Sequence, residues 1–221
     1  YGNSKKEILN KLKAKVYDAK QLVDHTKLTS FSARDPKLNT MEVISALRLF
    51  GWAKQTAIRF MQSSDNKISK HHLYIDEKFT HLELDGVKDS LIEAAQTIWE
   101  MYNDNYNNVQ IPHDVYLKLF AMSGIDLNYD VVMVDECQDV SPVMLNILKS
   151  QKTAQKIYVG DKFQKIYSFT GSIDITNIVE CRTLYLTKSF RFGNDIAEIA
   201  NAFLDKIEED IKPLLGNGSK N

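Results

Sequence analysis

Apolar positions recur at helical spacing from Tyr1 to about Asn103, then gather into short runs after Asn128. Ile8, Leu12, Val16, Ala19 and Val23 share one face, behind a capping box with Ser4 as N-cap and Glu7 reaching back. This predicts one amphipathic helix running through Val23. Lys6, Lys13 and Lys20 share another face of it, either a solvated lysine stripe or a strip for backbone phosphates. "TSFSARDPKLNT" reads as a connector. "MEVISALRLFGWAKQTAIRFMQS" predicts a second helix, with a break near Gly51, and the polar "SSDNKISKHHLYIDEKFT" predicts a loop. Leu91, Ala94, Ala95, Ile98, Trp99 and Tyr102 mark a third helix. "IPHDVYLKLFAMSG" predicts a short one, with Pro112 near its start and Gly124 past its end.

After Asn128 the pattern changes. The apolar runs "YDVVMVDE", "KIYVGD" and "TLYLTKSF" alternate with the helical stretches "SPVMLNILKS" and "NDIAEIANAFLDKIEED". Strands alternating with helices predict a parallel α/β sheet, whose ligands bind beyond the carboxyl ends of the strands. Asp135 and Asp161 stand at those ends. The tail "PLLGNGSKN" reads as a loop.

Composition narrows the classes. The chain has 221 residues, 43% hydrophobic, with a formal net charge of -1. No global basic field advertises a polyanion, so any nucleic-acid surface must be local. Cys137 and Cys181 make no disulfide framework and lack zinc spacing, which points to a reducing intracellular setting. No apolar run is long enough to span a bilayer, so no membrane partner is expected. His71, His72, Asp76 and His81 are expected on a polar surface loop, because a metal site would need a turn to gather them.

The carboxylates carry the chemistry. Asp135 and Glu136 close an apolar run, and where the chain turns both can approach one site. Magnesium takes oxygen ligands through one or two carboxylates plus substrate phosphates and water. One acid can serve the metal while its neighbour orients an attacking water, a division of labour that phosphoryl transfer uses. Gln164 follows the second run and can read a terminal phosphate. Arg191 follows the third and can stabilise charge developed in transfer. Each alone reads as a surface polar residue, but after three successive strands they point to one site.

"VDECQD", "VGDKFQKIYSFTG" and "LTKSFRFGNDIAEIANAFL" resemble motifs II, III and IV of UvrD/Rep-type superfamily 1 DNA helicases. "IPHDVYLKLF", "SPVMLNIL" and "YLTKSFRFG" resemble the F-box DNA helicase branch, over roughly Ile111 to Leu204. The resemblance implies ATP and Mg2+ as cofactors, single-stranded DNA as partner and 3′ to 5′ polarity. It implies that Asp135 coordinates magnesium, Glu136 activates water, Gln164 couples the γ-phosphate to the DNA groove and Arg191 contacts that phosphate. Tyr167 and Phe169 take positions where the family stacks rings on bases. Cys137 and Thr170 depart from its commoner residues, and Thr170 replaces an arginine often found near the groove.

The expected architecture is a mainly helical insert over 1–110, the later part of a RecA-like P-loop NTPase core over 111–180 and a lead into a second core over 181–221. No G-x-x-x-x-G-K-[ST] occurs, and the chain starts at Tyr1. The expectation is therefore an internal piece of a longer helicase, inactive alone. The alternatives are a non-catalytic DNA-binding or interaction module of helicase origin, or the helicase part of a nuclease-helicase or defence system.

Overall fold

The structure is a computed structural model that describes residues 17–104, 109–164, 175, 179–207 and 212–218. It divides into two compact units, Tyr1–Thr176 and Asn177–Asn221. In the first unit, Asp18 is extended and its carboxylate accepts the Gln21 N–H at 2.9 Å, while the Gln21 amide oxygen accepts the Asp18 N–H. This reciprocal box starts α1, Ala19–Thr26, which ends at Lys27 in the left-handed region. The single helix expected from Ser4 through Val23 therefore does not reach Val23 unbroken, since Tyr17 and Asp18 are not helical. Ser4, Lys6, Glu7, Ile8, Leu12, Lys13 and Val16 lie outside the described residues.

The expected connector is a hairpin. β1, Phe31–Asp35, pairs antiparallel with β2, Thr40–Ile44, in the register Phe31↔Ile44 to Asp35↔Thr40. Asp35 Oδ1 accepts the N–H groups of Lys37 (2.8 Å) and Leu38 (3.1 Å), and Asn39 takes φ 53°. Asp and Asn here supply turn chemistry, not a mere link. Ser45 then caps α2, Ala46–Gln62, which runs unbroken through Gly51. Its face of Leu49, Trp52, Ala53, Thr56, Ala57, Phe60 and Met61 is buried. That face packs on α3, Asp85–Asn103, which buries the six residues expected of it. Phe60 meets Trp99 edge to face at 5.3 Å between centroids. Tertiary burial thus outweighs the helix cost of Gly51. An added Cβ there meets nothing within 4 Å. Gly51→Ala should stabilise the fold by about 0.5–1 kcal/mol, read as a higher melting temperature.

The stretch expected as a polar loop is partly internal. It holds short 3-10 turns at Lys70–His72 and Glu77–Phe79, and His72 and Phe79 are buried. Next, α4, His113–Ser123, starts behind Pro112 and ends at Gly124 with φ 61°, as expected. β3, Val131–Val134, leads through the turn Cys137–Asp139 into α5, Pro142–Ser150, capped by Ser141. β4, Gln155–Tyr158, lies parallel to β3 with Val131↔Gln155 and Val134↔Tyr158 in register. The unit is mixed α/β, and its parallel sheet has two strands among the described residues.

Lys118 ties α4 to the end of α2. It is 1% exposed, and its Nζ donates to the carbonyls of Ser63 (2.9 Å) and Asp65 (2.5 Å) while lying 4.2 Å from the Phe60 ring centroid. Asn146 of α5 adds a bond to the Ser64 carbonyl at 2.9 Å. Burial lowers the Lys118 pKa to about 8, against a partial opposing effect of Asp65. Unfolded, the same lysine titrates near 10.5, so between these values the unfolded chain holds the extra proton. Stability should therefore rise with pH through that window and fall as pH drops toward 8. Thermal melts of wild type and Lys118→Met across it should differ in slope, and identical slopes would contradict a buried, depressed lysine.

In the second unit, β5, Lys188–Ser189, pairs parallel with β6, Leu215–Gly216, with α6, Asn194–Leu204, between them in sequence. Asn201 holds the return by exchanging two hydrogen bonds with the Leu214 backbone. The run "TLYLTKSF" was expected as a strand, but only Lys188 and Ser189 pair. Leu184, Tyr185 and Leu186 are 73%, 61% and 88% exposed, with no partner strand in this unit among the described residues. The tail expected as a loop supplies the strand that does pair.

Candidate functional site

Parallel pairing brings the ends of β3 and β4 together. The Val159 N–H donates to the Val134 carbonyl at 2.8 Å, and the Cys137 N–H donates to the Val159 carbonyl at 2.9 Å. The chain after β3 therefore turns across the end of β4. Glu136 makes that turn in the left-handed region, φ 50° and ψ 45°, a conformation that costs a non-glycine residue about 1–3 kcal/mol. The turn is closed by the Asp139 N–H donating to the Glu136 carbonyl at 3.0 Å.

Asp135 and Glu136 are both exposed at this edge. Asp135 Oδ1 accepts the Glu136 N–H at 3.0 Å. Glu136 Oε2 accepts from Gln138 Nε2 at 2.7 Å, and Gln138 Oε1 accepts the Asp161 N–H at 3.1 Å. Beyond β4, Asp161 Oδ2 accepts from Gln164 Nε2 at 2.7 Å. Hydrogen bonds thus join Glu136, Gln138, Asp161 and Gln164 across two adjacent strand ends. Gly160 makes the close approach possible: a Cβ there would stand 2.5 Å from Gln138 Oε1 and 2.7 Å from Cys137 Sγ. The exposed carboxylates are hard oxygen donors of the type magnesium takes, so Asp135 fits a Mg2+ bound together with phosphates and water.

A family model decides the affiliation: that of the UvrD/REP helicase N-terminal domain matches residues 4–185. The chain belongs to the UvrD/REP helicase family. It is 34% identical over 201 residues to F-box DNA helicase 1 of Gallus gallus, covering 86% of this chain and 20% of that protein. It is 32% identical over 166 residues to F-box DNA helicase protein 1 of Schizosaccharomyces pombe, covering 71% and 18%. DNA helicase IV of Escherichia coli is 35% identical over 102 residues, covering 40% and 15%. The chain spans about a fifth or less of the length of these relatives.

Of the residues expected to form the site, Asp135, Glu136 and Gln164 lie at the ends of β3 and β4 in this UvrD/REP chain. Arg191 is exposed in the second unit, where its N–H donates to Ser189 Oγ at 3.2 Å. Tyr167, Phe169 and Thr170 lie outside the described residues. Gln138 was not singled out, although it stands only two residues past Glu136 across a tight turn. No helix among the described residues is long and apolar enough to cross a membrane.

His71 and His72 meet in a second cluster; His71 and His81 are exposed as expected of a surface loop, and His72 is not. His72 is buried, and Asp65 Oδ2 lies 2.5 Å from His71 Nε2 and 3.0 Å from His72 Nε2. Asp76 and His81 are elsewhere: Asp76 caps the turn at Glu77–Phe79, and His81 faces Asp35 at 3.8 Å. The tautomer argues against a metal. His72 Nδ1 accepts the Ser69 N–H at 3.0 Å, so the proton of the neutral ring sits on Nε2, the atom aimed at Asp65. Burial, then the charge of His71, lowers the His72 pKa and favours that neutral ring. The cluster is a hydrogen-bonded clasp on the loop that Lys118 also holds.

Proposed function

We propose that this chain is part of an ATP-dependent DNA helicase that couples Mg-ATP hydrolysis to movement along single-stranded DNA. In this reading 1–110 is the helical insert, 111–180 the later part of a RecA-like core and 181–221 the lead into a second core. The observation that carries it is the hydrogen-bonded edge at β3 and β4, where one side chain, Gln138, links Glu136 to the Asp161–Gln164 turn. Family membership and relatives that are DNA helicases support it.

Bound magnesium would supply charge neutralisation at the nucleotide phosphates. Asp135 would hold it. Glu136 would orient the attacking water and take its proton. Gln164 would couple the γ-phosphate to DNA binding, and Arg191 would contact the γ-phosphate. Tyr167 and Phe169 would stack on DNA bases. The phosphate-cradling loop and its lysine would come from outside these 221 residues, so the chain alone should not turn over ATP.

Tailed duplexes test the whole reading. The full-length protein should separate a duplex with a 3′ single-stranded tail, in an ATP-dependent manner. Separation from a 5′ tail alone would reverse the polarity, and strand separation indifferent to ATP would sink the motor.

A further inference from the structure

Gln138 is buried at 2% exposure, yet it lies between two groups of the exposed edge. Its amide is used at both ends: Nε2 donates to Glu136 Oε2 at 2.7 Å and Oε1 accepts the Asp161 N–H at 3.1 Å. We propose that Gln138 is a positioning residue for Glu136, fixing its carboxylate against the backbone of the turn that carries Gln164. This rests on the proposed hydrolytic role of Glu136.

The residue type follows from the geometry. The position needs a donor toward a carboxylate and an acceptor toward a backbone N–H, in one short side chain. Lysine and arginine donate but cannot accept. A glutamate accepts but sets a second carboxylate beside the first. Glutamine does both and adds no charge. The slot is shaped for it, because any side chain at residue 160 would meet Gln138 Oε1 at 2.5 Å. The backbone cooperates too. Glu136 in the left-handed region reverses the chain, which lets the side chains of residues 136 and 138 meet on one side of the turn. With Oε2 held, Oε1 is the atom that takes the proton from water. The Asp161 N–H fixes the other end of the amide, and the Asp161 carboxylate in turn holds Gln164. Gln138 therefore sets where the base stands relative to the residue that reads the phosphate.

Two variants in the full-length protein separate the ends of the amide. Gln138→Met keeps the length and removes both bonds. Gln138→Glu keeps the acceptor and loses the donor. Both should lower kcat for DNA-stimulated ATP turnover by ~10–100-fold, the size of one lost charge-assisted hydrogen bond, with KM for ATP little changed. In peptide-resolved hydrogen exchange, the segment containing Asp161 should lose protection in Gln138→Met and keep it in Gln138→Glu. Added to Glu136→Gln, Gln138→Met should cost nothing further, because the group it positions no longer acts. A loss confined to folding would lower the melting temperature, expose both variants alike to exchange and add fully to Glu136→Gln, which overturns the role. Wild-type kcat in Gln138→Met beside an inactive Glu136→Gln overturns it as well and leaves the hydrolytic reading standing. Normal turnover by Glu136→Gln overturns the hydrolytic reading itself, and this role with it.

Discussion

Glu136→Gln in the full-length protein should cut ATP turnover by ~10²–10⁴-fold, the usual reach of a positioned general base, while nucleotide binding stays close to wild type. The amide keeps the shape of the side chain but cannot take a proton from water. The substitution also leaves the fold little disturbed, because Glu136 is exposed and an amide oxygen can still accept from Gln138 Nε2. Backbone bonds from Cys137 and Asp139, not the carboxylate, hold the left-handed turn. Unchanged melting beside lost turnover would assign the loss to chemistry. Single-turnover hydrolysis at the wild-type rate would remove Glu136 from the reaction.

Replacing Tyr167 and Phe169 together with alanine should cost ~2–5 kcal/mol of single-strand affinity, from about 1–3 kcal/mol per stacked base. That corresponds to a Kd roughly 30- to 5,000-fold weaker. The loss should be similar for mixed sequences, since every base has a π-face, and the salt slope should barely change because no phosphate contact is removed. DNA-stimulated turnover should fall with DNA occupancy while a DNA-independent rate survives. Rings that belong to the core would instead lower the melting temperature and take every activity down together. A folded double variant that binds single strands as before would take both rings out of the DNA path.

Long amphipathic helices were legible in the sequence. Leu91 to Tyr102 repeat at helical spacing on α3, and Pro112 and Gly124 mark the ends of α4 by backbone chemistry that is local. The β1–β2 hairpin was not. Its strands are five residues each, their alternation is weak, and Asp35 and Asn39 read equally as connector or turn until the partner strand is known. Gly51 misled for the opposite reason: a local helix penalty is small beside the burial of Trp52, Ala53 and Phe60. β5 misled because, among the described residues of its unit, only Lys188 and Ser189 of the apolar "TLYLTKSF" pair with a strand.

The candidate site shows the same divide. Asp135 and Glu136 could be read from an apolar run that ends in acids, since a strand end is a local feature. Gln138 could not, because its meaning lies in bonds to Glu136 and, across the sheet, to Asp161. Asp65 was missed likewise. It stands six residues before His71 with no periodicity to link them, and only the folded loop brings its carboxylate to both histidines.

ATP hydrolysis by the full-length protein, measured with and without single-stranded DNA, tests the central claim most directly. Turnover that is magnesium-dependent, rises with added single strand and disappears in Glu136→Gln is the predicted result. Turnover that ignores DNA, or that survives in Glu136→Gln, would contradict a DNA-driven motor built on this edge.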